Sequence, residues 1–217
     1  PRADVYVNRE PNELDPELFE DPLPPFANTQ SVRVLGGLGT IARLVSDAEE
    51  IYQGCLPLEV AYERIERLYK PFHAALANLI ETTRRRFGYA ILIDCHSMPS
   101  TSLGQPTTPR PDFVLGDRFG VACDIKLTRY VKEALSQRGF RVVVNRPYAG
   151  GFITEHYGRP ARGVHALQLE INRALYLNEV KFKHSAGFYG LQASLARVLE
   201  RLVSDLPDLM GWPAAAE

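Results

Sequence analysis

Short apolar runs alternate along the chain with longer segments whose apolar residues recur at three- and four-residue steps. The runs predict strands and the longer segments predict helices. Residues 4–8 (DVYVN), 89–94 (YAILID), 112–115 (DFVL), 140–145 (FRVVVN) and 166–171 (ALQLEI) read as strands, several of them rich in β-branched residues. Between residues 57 and 87, Val60, Ile65, Leu68, Phe72, Leu76, Leu79 and Ile80 keep helical spacing. Pro71 lies inside that segment and has no amide hydrogen, so a kink or break is expected there. Residues 124–138 form an amphipathic helix with Ile125, Leu127, Tyr130, Val131 and Leu135, ended by Gly139. Residues 188–203 predict a last helix, and the tail from Pro207 is expected to be loosely held. Strands alternating with helices predict an α/β fold, a three-layer αβα sandwich around a mixed, largely parallel central sheet. No repeat or linker splits the chain, so residues 1–217 read as one domain.

Two stretches break the pattern. Residues 10–40 are rich in Pro and Gly and read as a long irregular excursion, a type of loop that is often functional. Residues 146–163 (RPYAGGFITEHYGRPARG) form a second Gly-containing loop.

Composition narrows the class. Hydrophobic residues are 45% and charged residues 24%, the balance of a globular domain. A net charge of -1 gives no electrostatic footprint for nucleic acid or an anionic membrane. No apolar run approaches the ~18 residues of a membrane span. Cys55, Cys95 and Cys123 are far apart and show no CxxC spacing, which suggests a reducing cytoplasm and no Cys-rich zinc site. The basic run Arg84–Arg86 suits the C-terminal end of its helix.

The candidate chemistry lies at strand ends, where open α/β sheets bind ligands. DVYVN ends on Asn8 and Arg9, YAILID leads into Asp94 and His96, FRVVVN ends on Asn145 and Arg146, and LQLEIN carries Glu170. Alternation along a strand puts Asp94 and His96 on one face and Cys95 on the other, where it serves as an apolar filler. Asp94 would then orient the His96 ring, as a supporting carboxylate does beside a metal-bound imidazole. A carboxylate inside LQLEIN is costly to bury unless paired or used. Glu170 is therefore either a general base or the partner of a cation such as Arg173. Arg9 either grips a carboxylate through parallel hydrogen bonds or pairs with Glu10, Glu13 or Asp15. His156 and His165 lie in or beside the second Gly loop, within reach of such a site. No GxSxG elbow is present, and Ser97 directly follows His96, so a serine hydrolase fits poorly. GGLGT, residues 36–40, lacks the GxxxxGK[ST] of a phosphate loop.

Taken together, DCHSMPS, VNRPYAGGFITEHYGRP, ALQLEINRALY, VNREPNELDP and GGLGTI resemble the N-formylglutamate amidohydrolase family, over nearly the whole chain. More distantly they are similar to the zinc carboxypeptidases, with their phosphorylase/hydrolase-like fold. The resemblance implies one Zn2+ ion with His96 as a ligand, Asp94 behind it and Glu170 as the catalytic base. It implies substrate contacts from Asn8, Arg9, Arg43, Arg146, Tyr148, Gly150, Gly151, Thr154 and His156. The remaining zinc ligands of these families precede the Asn-Arg segment, so they are expected upstream of Pro1, and the domain is expected to lack an N-terminal segment. The implied reaction is hydrolysis of N-formyl-L-glutamate, or a related N-acyl amino acid, to formate and L-glutamate, as in histidine breakdown in the cytoplasm. The implied partner is a small molecule bearing carboxylates. The alternatives are a zinc amidase or carboxypeptidase for short peptides or cell-wall fragments, and a non-catalytic member that binds acidic small molecules.

Overall fold

The computed structural model describes residues 4–45, 49–100 and 111–211. The chain divides into two compact units, residues 1–81 and 82–217.

The first unit is mostly irregular. Its helices are α1 (Val32–Leu35), α2 (Leu58–Arg64) and the first part of α3 (Lys70–Phe87). Residues 4–8 are not a strand. Tyr6 donates its amide to the Thr40 carbonyl, and no ladder forms around it among the described residues. The buried residues Val5, Leu14, Leu18, Phe19, Val34, Ile41, Ala61 and Ile65 form the core of this unit. The helical segment is irregular just ahead of Pro71 and not at it. A π-helical turn at Ile65–Tyr69 joins α2 to α3. There the Lys70 amide bonds to the Ile65 carbonyl, and Pro71 follows directly, so the wider turn lies just ahead of the residue that has no amide hydrogen to give it.

The second unit holds a four-stranded sheet of β1 (Ala90–Met98), β2 (Phe113–Gly116), β3 (Val142–Val144) and β4 (Val164–Asn172). The order is β1-β4-β2-β3. β1 and β4 are parallel, β2 and β3 are parallel, and β2 runs antiparallel to β4. The sheet is thus mixed and mostly parallel. Helices α4 (Ile125–Ser136) and α6 (Phe188–Met210) pack together, and α5 (Phe152–Tyr157) packs on β4. A small hairpin of β5 (Leu177–Asn178) and β6 (Lys183–His184) precedes α6. Asp124 caps α4 by accepting the Lys126 amide on its side chain.

Strand alternation divides the sheet chemically. Phe113, Leu115, Leu167 and Leu169 face Leu127, Val131 and Leu135 of α4 and Leu191, Val198 and Leu202 of α6. Truncating any of these buried leucines to Ala is expected to cost about 2–5 kcal/mol. The residues between them on β1 and β4, Asp94, His96, Gln168 and Glu170, take the opposite face. Helix α6 runs through Pro207 to Met210, beyond the expected end at Val203, and buries Leu206 on the way. No helix among the described residues is long and apolar enough to cross a membrane.

Candidate active site

The parallel register of β1 and β4 builds the site. It sets Asp94 opposite Gln168 and His96 opposite Glu170. Four polar side chains therefore share one face near the carboxyl ends of both strands. Strand β1 continues to Met98, past the expected end at Asp94, and this carries the alternation through His96.

His96 Nε2 lies 2.8 Å from Asp94 Oδ2. The two are as close as an ion pair, yet Asp94 Oδ2 is buried and receives no aligned hydrogen bond from the described residues. The distance establishes proximity; it does not establish an N–H···O bond, which also requires direction. An unsatisfied buried carboxylate oxygen against an imidazole nitrogen suits either a protonated ring or a shared cation. Zinc needs about three protein ligands. Among the described residues no group of three His, Cys, Asp or Glu side chains comes together. His96 and Asp94 thus fit part of a zinc site, not a whole one.

Glu170 is 8% exposed, and its Oε1 accepts a 2.9 Å hydrogen bond from Gln168 Nε2. The cation suggested for it is occupied elsewhere: Arg173 donates to Ser97 Oγ at 3.2 Å and lies 4.0 Å from Glu179. Cys95, facing the helices, lines an apolar cavity of about 60 Å³ with Ile93, Val131, Leu167 and Leu195. Cys95 is nonetheless exposed, so it is not the enclosed apolar filler expected of it; its apolar surroundings, and then the Asp94 charge, push its thiol above the ordinary range.

The second Gly loop contains α5 and approaches β4 closely. Gly151 donates its amide to Gln168 Oε1 at 2.7 Å. Gly150 has φ +114°, and a Cβ there would lie 3.0 Å from Thr154 Cγ2. Thr154 is buried, and its hydroxyl has no hydrogen-bond partner among the described residues. Tyr148 is half-buried, and Arg146 and His156 are exposed, with the His156 ring stacked on Phe152 at 4.9 Å. His165 does not face the site. It shares the helix face of β4 with Leu167 and Leu169, and its Nδ1 accepts the Asp124 amide at 3.1 Å. Its burial lowers its pKa.

In the first unit, Arg9 donates from Nε to the Leu38 carbonyl at 3.1 Å and from Nη1 to the Asn8 carbonyl at 2.8 Å. It stacks on the Tyr6 ring at 4.3 Å, and the Tyr69 hydroxyl donates to its own carbonyl. GGLGT supplies this support, since Leu38 belongs to it and the Thr40 amide bonds to the Glu13 carbonyl. Two of the three carboxylates considered as Arg9 partners pair with other arginines: Glu13 with Arg33 at 3.1 Å, and Asp15 with Arg43 at 2.8 Å. Arg43, also expected as a substrate contact, pairs with carboxylates of its own unit. Its guanidinium is enclosed by Asp15, Glu17 and Glu50, so it neutralises the acidic loop of its own unit.

Sequence reading passed over Gln168, which bonds both Glu170 and the Gly151 amide, and Gly116, which pairs with it on β2. The i, i+2 spacing of Gln168 to Glu170 was the available signal, because it puts both on one face.

The chain is thus an α/β protein whose mixed sheet sets an imidazole, two carboxylates and an amide on one face near the ends of adjacent parallel strands. The chain belongs to the N-formylglutamate amidohydrolase family, whose pattern matches residues 1–177. It is 31% identical over 170 residues to the N-formylglutamate deformylase of Pseudomonas aeruginosa, which covers 76% of this chain and 62% of that protein. It is 36% identical over 118 residues to the N-formylglutamate deformylase of Pseudomonas putida, or 54% of this chain and 44% of that one. The chain thus spans between two fifths and two thirds of the length of these curated relatives. The crystal structure of an N-formylglutamate amidohydrolase from Ralstonia eutropha JMP134 superposes with a TM-score of 0.88 at 35% identity, covering 94% of this chain and 74% of that one. A protein from Agrobacterium tumefaciens, 16% identical, shares the fold with a TM-score of 0.60 over 94% of this chain and 68% of its own.

Proposed function

We propose that this protein hydrolyses the amide bond of N-formyl-L-glutamate, or of a closely related N-acyl amino acid, to formate and L-glutamate. The observation that carries the reading is the facing of His96 and Glu170 across β1 and β4, in a chain of this family. Glu170 accepts a proton from the attacking water and passes it to the departing amine nitrogen. Water oxygen forms the new bond to the formyl carbon, the C–N bond breaks, and the amine leaves protonated. His96, with Asp94 beside it, is the proposed ligand position for Zn2+. Bound zinc would supply Lewis-acid polarisation of the formyl oxygen and acidify a coordinated water. Asn8 and Arg9 are proposed to hold a substrate carboxylate, a task that suits a guanidinium already fixed by carbonyls and a ring. Arg146, Tyr148 and the Gly150–Gly151 loop are proposed as further substrate contacts.

The deciding experiment is formate release from N-formyl-L-glutamate by the purified chain, with zinc added and with a chelator. Turnover that needs zinc and is lost in Glu170→Gln supports the reading. Tight binding of N-formylglutamate without turnover would leave the non-catalytic alternative standing.

A further inference from the structure

Resting on the reading of Glu170 as the base, we propose that Gln168 is a positioning residue that ties the orientation of the Glu170 carboxylate to the seating of the Gly150–Gly151 loop. The Gln168 amide is buried and spans both elements. Its oxygen accepts from the Gly151 amide at 2.7 Å, and its nitrogen donates to Glu170 Oε1 at 2.9 Å. The orientation of the amide is settled by chemistry. A backbone N–H can only donate, so the oxygen must face Gly151 and the NH2 group must face the carboxylate. Reversing the amide would set two donors together and two acceptors together.

The neighbouring strand makes this bridge reachable. Gly116 of β2 lies opposite Gln168 in the antiparallel register. A Cβ on Gly116 would come within 2.6 Å of the Gly150 amide nitrogen and 2.7 Å of the Ala149 carbonyl carbon. The loop main chain therefore occupies the space a side chain would fill. The Arg118 amide holds the Ala149 carbonyl at 2.8 Å, which fixes the loop from the other side. With the loop pinned, the Gln168 amide has one low-energy setting, and Glu170 Oε1 is directed with it. A ligand that moves the Gly150–Gly151 loop would thereby turn the base.

The test uses the full chain, two substitutions at 168 and one at 170. Gln168→Glu keeps the shape but sets a second carboxylate against Glu170, which opposes ionisation of the pair. The acid limb of the kcat/KM profile should move up by at least one pH unit. Gln168→Met keeps the length and removes both hydrogen bonds; kcat should fall at least tenfold. Thermal melting confirms that each variant is folded, and if Gln168→Met does not fold, Gln168→Glu decides. An unmoved acid limb in folded Gln168→Glu, or unchanged kcat in folded Gln168→Met, overturns the proposal. Glu170→Gln separates the two claims. If it is inactive while the Gln168 variants behave as wild type, only the positioning role fails. If it is fully active, the base assignment fails and the positioning role with it.

Discussion

His96 and Glu170 face each other across adjacent parallel strands, one residue pair in a register that runs unbroken from Ala90–Val164 to Met98–Asn172. Neighbouring strands lie about 4.8 Å apart, so the spacing of the two groups is held by main-chain hydrogen bonds and not by loops. Sites built on strands hold their geometry better than sites on loops.

Asp94→Asn tests the role of the carboxylate beside His96. The substitution preserves shape and removes charge. Zinc affinity, read by competition with a chromophoric chelator, should fall about 10–100-fold. Wild-type affinity in Asp94→Asn would show that Asp94 neither ligates nor orients.

Arg43→Met should act on stability and leave substrate binding alone. It strands the buried Asp15 carboxylate, now held at 2.8 Å. Breaking a fully buried pair costs about 3–5 kcal/mol, and the partial exposure of Arg43 should reduce this to about 2 kcal/mol. Urea unfolding gives the loss, and KM for N-formylglutamate should stay within a factor of two. A large rise in KM without a stability change would restore Arg43 as a substrate contact.

Gly116→Ala and Gly190→Ala make a matched pair. The first drives a methyl group into the Ala149–Gly150 main chain, and overpacking of this kind costs about 1–3 kcal/mol. The second adds a methyl group in α6 where nothing lies within 4 Å, and should gain about 0.5–1 kcal/mol from helix propensity. Chemical denaturation of both variants should give opposite signs.

His165 predicts a pH dependence of stability. Burial lowers its pKa in the folded state from 6.5, and its Nδ1 must stay unprotonated to accept the Asp124 amide. Below pH 6.5 the unfolded chain binds a proton that the folded chain does not, so stability rises with pH there. The contribution is full above pH 6.5 and is lost as pH falls through the lowered folded value. His165→Gln should flatten the part of the curve just below pH 6.5 in urea melts from pH 5 to 8. Parallel curves for the two proteins would rule out this source.

Much of the second unit was legible because its signals are local. Alternation placed Asp94 and His96 on one face, and apolar periodicity located α4. The same rule applied to β4 assigns His165 to the helix face, since it is odd-numbered with Leu167 and Leu169, yet nearness to the Gly loop suggested otherwise. The first unit resisted because its order comes from long-range main-chain bonds. DVYVN has the composition of a strand, but its Tyr6 amide is used by Thr40, far along the chain. The acidic loop around Asp15 gave no sign that it would enclose Arg43. In α3 the spacing predicted a helix correctly but implied a buried stripe, and Leu79 is 64% exposed.

The π turn at Ile65–Tyr69 holds one residue more than an α-helical path would need. The wider turn absorbs that residue, so α2 and α3 keep the phase they would have in one α-helix a residue shorter. Deleting one residue between 65 and 69 would remove the wide turn and leave Leu58 and Ala61 facing the core. At this point the chain can change its length by one residue without changing which side of the helix faces inward.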